Sequence, residues 1–275
     1  MPWYEAAGFV ALGFFVGTYG SMVGVGGGFL IVPVLLALGN PGRIAAGTSM
    51  VVVLANAASS TISYLRQKRT DFQSGLMFSA AGVPGAIAGA WVDQHLPHRV
   101  FALLFGIVLI AVALRAALTA DSNPPADVPS EDVRPHELRR DFVDAMGVRH
   151  QYSYNIWAAL AISAFTGLVA SMFGIGGGVV QVPAMVYLFH FPAHIAVATS
   201  QLIIFVTALF GSATHAYYGD VLPLPALFLA IGAVSGAQLG SWLAARTHPG
   251  RLMRVFSFAV ALAALYLIYT SAFKH

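Results

Sequence analysis

Cysteine is absent from this chain of 275 residues, which excludes disulfides, thiolate metal sites and cysteine-based transfer chemistry. Charge is nearly as scarce. Asp, Glu, Lys and Arg make up 9% of the residues, against roughly 25% in a soluble domain. Asp71, Asp93 and Asp220 fall at the ends of apolar stretches rather than inside them, so the carboxylate relays of many pumps are not expected. The start carries no basic run ahead of its first apolar stretch, which argues against a cleavable signal peptide. No nucleophile–base pair speaks for an enzyme. His190 and His194 have a metal-like spacing, but Pro192 stands between them and no acidic ligand is near, so neither metal nor other cofactor is expected.

What remains is apolar: 58% of the residues are hydrophobic, with a mean hydropathy of +0.76. Stretches of about twenty apolar residues indicate membrane helices rather than a barrel, whose segments run to about ten and alternate. The expected class is an all-α integral membrane protein. Its net charge of +3 would hint at nucleic acid in a soluble protein. Here the few Lys and Arg sit in short loops and read as topology signals, so lipid is the expected partner and nucleic acid is not.

Inside these stretches stand residues that should not be there. "MVGVGGGFLIVP", Met22 to Pro33, returns as "MFGIGGGVVQVP", Met172 to Pro183, and glycine and proline are the poorest helix formers. The match extends along both halves. Thr48-Ser49 pairs with Thr199-Ser200, Trp91 with Trp242 and Arg99 with Arg251. The chain therefore divides into an N-terminal repeat (1–120), a polar linker (121–153) and a C-terminal repeat (154–275). In the linker, Leu138, Phe142 and Met146 fall at four-residue spacing, which fits a short amphipathic helix on the membrane surface or a disordered tether. Each repeat holds four apolar segments: 5–38, 44–65, 72–92 and 99–118, then 154–189, 194–218, 223–245 and 251–273. As one helix the lead segment would be roughly 51 Å long, against a hydrocarbon core of about 30 Å. It must break, and the glycines mark the place.

Loop charge bears on orientation. Arg66, Lys68 and Arg69 follow the second segment of the first repeat, while 217–222 in the second has no basic residue; the next pair of loops reverses the bias. Opposite bias at equivalent loops is expected of repeats inserted upside down relative to each other. With 66–69, the linker and 246–254 in the cytoplasm, both termini are external. A parallel repeat with an even number of spans is the alternative.

Non-helical backbone within a bilayer survives only where it is buried in protein or lines a wet cavity. Two breaks meeting near the midplane would each offer the first N–H groups of the resumed helix, near Phe29 and Val179, to an anion. Gly26, Gly27, Gly28, Gly176, Gly177 and Gly178 are therefore candidate donors. Packing of helices is the competing explanation, above all for Gly82, Gly85, Gly89, Gly232, Gly236 and Gly240. A nucleotide loop is excluded, because residues 24–29 miss the third spacing of the dinucleotide fingerprint and follow no strand. Thr48, Ser49, Thr199, Ser200 and Gln201 read as helix starts whose side chains cap or hold a ligand. Gln181 and Gln201 break the symmetry and need buried partners. Asn56 and His215 complete the candidate set as contacts behind the ligand or at a gate, and His215 can titrate near neutrality.

The paired phrases "GVGGGFLIVPVLLALGNPGRIAAGTS" and "GIGGGVVQVPAMVYLFHFPAHIAVATS" resemble the sulfite exporter TauE/SafE family over nearly the whole chain. The resemblance implies a multi-pass inner-membrane protein that moves sulfite, organosulfonates or related small anions. Distant relatives that take up thiosulfate use cysteines along the path, and this chain has none. Export by alternating access is the leading expectation, with import, a carboxylate substrate or a non-transporting scaffold as alternatives. Oligomeric state is left open, a homo-oligomer being compatible.

Overall fold

The computed structural model describes residues 2–119, 136–143 and 147–247. The apolar segment 251–273, Arg251 and Arg254, the start of the linker and Met146 lie outside them. In the first half α1 (Trp3–Val23) and α2 (Gly28–Ala37) flank the glycine break, followed by α3 (Gly42–Arg66), α4 (Phe72–Asp93) and α5 (His98–Thr119). A hairpin of β1 (Glu137–Val143) and β2 (Arg149–Asn155) precedes the second half, which runs through α6 (Ile156–Phe173), α7 (Gly178–Tyr187), α8 (Ala193–Tyr217) and α9 (Pro223–Arg246). Of these, α1, α3, α4, α6, α8 and α9 are long and apolar enough to cross a membrane. The protein is a multi-pass, mostly helical membrane protein.

Both lead segments break where the glycines stand. Gly24 and Gly174 end α1 and α6 in the left-handed conformation, and each N–H returns to the carbonyl four residues back. Gly27 (φ 87°) and Gly177 (φ 73°) then start α2 and α7 from the same region of backbone space, which costs an L side chain about 1 kcal/mol or more. The chain doubles back here, and Gly27 lies against Val16 and Gly20 of the helix it has just left.

Packing exchanges the halves. α1 lies along α9, α6 lies along α4, and the deeply buried α3 and α8 lie together at the centre. The outer seams are built of small residues. A methyl at Gly13, Gly232, Gly236 or Gly240 would overlap backbone across the α1–α9 seam, and one at Gly85, Gly89 or Gly167 would do so across α4–α6. For these glycines close packing is the reason, because dispersion contacts rather than water drive helix association in lipid.

α3 and α8 run in opposite directions, each start lying beside the loop that follows the other. Thr48 Oγ1 accepts the N–H of Leu222 (3.0 Å), and Thr199 Oγ1 accepts that of Asp71 (2.9 Å). Helix starts were expected at these threonines, but α3 and α8 begin earlier, after Pro41 and Pro192. Proline disfavours helix at the residue before it and fixes its own φ at a helical value for entry.

The linker corrects a second expectation. Residues 137–143 and 149–155 form neither an amphipathic helix nor a tether but an antiparallel pair, with Leu138 opposite Tyr154 and Arg140 opposite Tyr152. The alternation Tyr152-Ser153-Tyr154 places both rings inward, a period of two that overrides the four-residue spacing. The rings pack on Phe78, Phe189 and Phe191, with the Tyr152 and Phe191 centroids 4.2 Å apart. Beneath them Arg140 grips the Asp71 carboxylate with Nη2 (2.6 Å) and Nε (3.0 Å), and Tyr152 Oη donates to it at 2.6 Å. Burial would raise the Asp71 carboxyl, but the bonds from Arg140, Ser74 and Tyr152 together outweigh it and hold it below the ordinary value. Burial and the adjacent carboxylate push the Tyr152 hydroxyl well above its ordinary range, so it remains a donor.

Candidate functional site

The two breaks meet. Gly28 faces the carbonyl of Gly174, and Gly178 faces the carbonyl of Gly24, so closely that any side chain at either position would overlap the opposite backbone. Serines from the central helices hold the same two carbonyls. Ser49 Oγ donates to Gly174 O (2.7 Å), and Ser200 Oγ donates to Gly24 O (2.8 Å). Each half thus pins the break of the other. A second tier lies one turn away: Tyr64 Oη donates to Ser21 O (2.8 Å), and His215 Nε2 faces Ser171 O (2.9 Å). A carbonyl only accepts, so Nε2 carries the proton.

Amides complete the ring. Asn56 Nδ2 donates to Gly26 O at 3.1 Å, leaving its buried Oδ1 without a partner. Gln201 Nε2 donates to Gly20 O (3.0 Å), and its Oε1 accepts from Ser60 (2.9 Å). Gln181 stands apart within the second half, between Thr166 and Ser163. Of the candidate residues, the six glycines with Ser49, Ser200, Asn56 and Gln201 surround the crossing. Thr48, Thr199 and His215 lie toward the two outer ends of the α3–α8 pair, its two mouths, and Gln181 of α7 faces α6.

The hydroxyl protons of Ser49 and Ser200 are committed to carbonyls in this state, so the donors left over are on the backbone. Among the described residues, the N–H groups of Phe29 and Val179 in the first turns of α2 and α7 meet no acceptor. Val53 and Ile204, equivalent residues of α3 and α8, crowd the breaks themselves, standing 3.1 and 3.3 Å from a methyl built at Gly26. Both breaks are shut off from solvent. Val53, Ile204 and Ser60 carried no signal in the sequence beyond belonging to apolar or small-residue runs. The Val53–Ile204 equivalence becomes visible once the repeat is aligned through Thr48 and Thr199.

The model of one protein family, described as sulfite exporter TauE/SafE, matches residues 9–267. A similar protein is the "Probable membrane transporter protein YunE" of Bacillus subtilis, 36% identical over 96% of this chain and 98% of its own length. A "Probable membrane transporter protein" of Xylella fastidiosa is 29% identical over 95% and 94% of the two chains. The archaeal "Probable membrane transporter protein MJ0441" of Methanocaldococcus jannaschii is 26% identical over 94% of each. No solved structure matches. These names describe membrane transporters, not enzymes. With a match over nearly its whole length and two broken helices joined at their glycines, the chain belongs to the sulfite exporter TauE/SafE family.

Proposed function

We propose that the chain exports a small anion such as sulfite or an organosulfonate, by alternating access around the crossing of the two breaks. One observation carries the reading: the amides of Phe29 and Val179 start two half-helices at the crossing and have no acceptor. Unpaired N–H groups and the positive end of each helix dipole favour a negative guest, and binding through backbone alone, without an Arg or Lys clamp, suits release. The opposed directions of α3 and α8 support an inverted repeat. On this reading the structure is the occluded state, with Val53 and Ile204 closing the crossing. Opening toward either face withdraws that pair and lets the anion reach the amides.

The basic segments support the orientation. Gln67 reaches Ser241 near the end of α9, and Arg140 reaches Asp71, so Arg66, Lys68, Arg69, the hairpin and Arg246 share one face. We assign that face to the cytoplasm of the inner membrane, with the α8–α9 loop outside. An inside-negative potential then favours export by about 2.3 kcal/mol per charge per 100 mV.

Flux from proteoliposomes over a panel of sulfite, sulfonates, sulfate and carboxylates tests the function. Saturable efflux of sulfite or a sulfonate is expected. Efflux of carboxylates alone would move the substrate class, and no anion-dependent flux at all would leave a scaffold. Orientation is read on the natural cysteine-free background: Lys68→Cys is expected to resist an impermeant thiol reagent added outside intact cells, and Tyr218→Cys to react.

A further inference from the structure

The two mouths have matching backbones and different chemistry. Where the first half carries Tyr64 and Arg69, the second carries His215 and Asp220, and where the second has Ala244 the first has Asp93. The imidazole and the two buried carboxylates therefore gather at one mouth, which is built by the start of α3, the end of α4 and the α8–α9 loop.

His215 is fully buried, and its Nε2–H is spent on Ser171 O. Its Nδ1 then bears a lone pair in the neutral ring. That nitrogen has no hydrogen-bond partner and lies 3.7 Å from Asp220 Oδ2. Asp220 Oδ2 accepts from Gln94 Nε2, but nothing donates between it and Nδ1 unless a proton joins the two atoms. Asp93, 2% exposed, adds a carboxylate oxygen with no partner, within electrostatic reach of Asp220 and Arg43. The groups facing Asp220 are His215 from α8, Asp93 and Gln94 at the end of α4, and Arg43 from α3, whose Nε is 3.7 Å away on a side chain 55% exposed. One solvated cation thus stands against two buried carboxylates, and a buried ion left short of partners is costly. Gly47 backs the Asp220 loop so closely that a methyl would sit 2.5 Å from the Asp220 carbonyl, and Thr48 fixes the same loop through Leu222.

We infer that His215, Asp220 and Asp93 form a proton-binding site at this mouth, and that loading it is linked to anion movement through the crossing. The proton comes from the water at that mouth and is held between His215 Nδ1 and Asp220 Oδ2, with Asp93 as the second acceptor. His215 connects the site to the crossing, because the carbonyl it holds belongs to the last turns of α6 before the break. A proton entering as an anion leaves moves both charges down an inside-negative potential. The linkage rests on the transport reading above; the proton site does not.

Two measurements keep them apart. In protein labelled with ¹⁵N only at its nine histidines, the resonance lost in His215→Gln identifies the ring. Protonation of Nδ1 is expected as the pH is lowered from about 8 to about 4, with Asp220→Asn or Asp93→Asn lowering its proton affinity about tenfold. A ring that stays neutral throughout, or that titrates unaltered in both variants, overturns the site. Flux of labelled methanesulfonate, whose own charge is constant in this range, is then followed with pH changed on one side at a time. Acidifying the Asp220 side is expected to change the rate about tenfold, and the opposite side not, with the response lost in Asp93→Asn. An equal response from both sides, or none, overturns the linkage. Absence of flux with every anion overturns the transport reading and leaves the proton site to the resonance titration.

Discussion

The two halves share a backbone and divide the chemistry. Ser49 and Ser200 hold carbonyls of the opposite break at 2.7 and 2.8 Å, and Thr48 and Thr199 hold the opposite loops at 3.0 and 2.9 Å. The mouths, by contrast, differ. One is capped by the hairpin, with Arg140, Tyr152 and Ser74 gathered on Asp71 and Tyr154 on Ser74; the other has no such strand pair among the described residues and keeps buried acids and a histidine. The symmetric part is what brings two interruptions to one point. The asymmetric part is what gives the two faces different control.

The largest test of the symmetric part is Gly28→Leu beside Gly178→Leu. Each puts a side chain into the opposite backbone, beyond the roughly 1–3 kcal/mol of ordinary overpacking. Both are expected to lose the monodisperse peak in size-exclusion chromatography, whereas Gly8→Leu, which faces open space from a helical backbone, keeps it. Survival of either glycine variant would break the crossing.

Next comes Asp71→Asn, which strips Arg140 of its charge partner at the hairpin mouth. Loss of one member of a buried pair costs about 3–5 kcal/mol; the Arg140 side chain is 20% exposed, which places the expectation at the lower end. Hydrogen exchange of the amides in 149–155 is expected to accelerate, with the crossing amides near Phe29 unaffected. The wild type sharpens the same point with pH. The Asp71 carboxyl is lowered in the folded state, so its contribution is full above its unfolded value of about 3.9. It fades as pH falls through the lower folded value, and hairpin protection is expected to disappear only there.

Ser49→Ala and Ser200→Ala each leave a buried carbonyl without its donor, at about 1–3 kcal/mol. Thermal unfolding in detergent is expected to show equal losses. A large inequality would mean the clamps are not equivalent. The smallest effects belong to Thr48→Val and Thr199→Val, about 1 kcal/mol each, also equal, and read by the same melts.

Much of this was legible. Doubled glycine phrases located both breaks at the glycine clusters, and the loop arginines grouped the segments that share a face. The roles of individual side chains were not legible. Ser49 and Ser200 read as free donors because sequence cannot show that a carbonyl 125 or 176 positions away takes the proton. Gly28 and Gly178 read as an open cradle, yet each is also pressed against the other break, and a glycine looks the same in both uses. The hairpin was misread because Leu138, Phe142 and Met146 mimic a helical stripe, while the inward alternation of Tyr152 and Tyr154 gains its meaning from Phe191 beneath them. Asp93 and Asp220 were set aside as segment ends; burial is decided by the helix of the other half that covers them.

The most direct measurement is a crystal structure of the protein soaked with selenite, the selenium analogue of sulfite, read at the selenium absorption edge. An anomalous peak is expected at the crossing, within hydrogen-bond reach of the Phe29 and Val179 amides, with Val53 and Ile204 displaced. A peak elsewhere in the helices, with Val53 and Ile204 still closed over the breaks, would contradict an anion site built from paired helix starts.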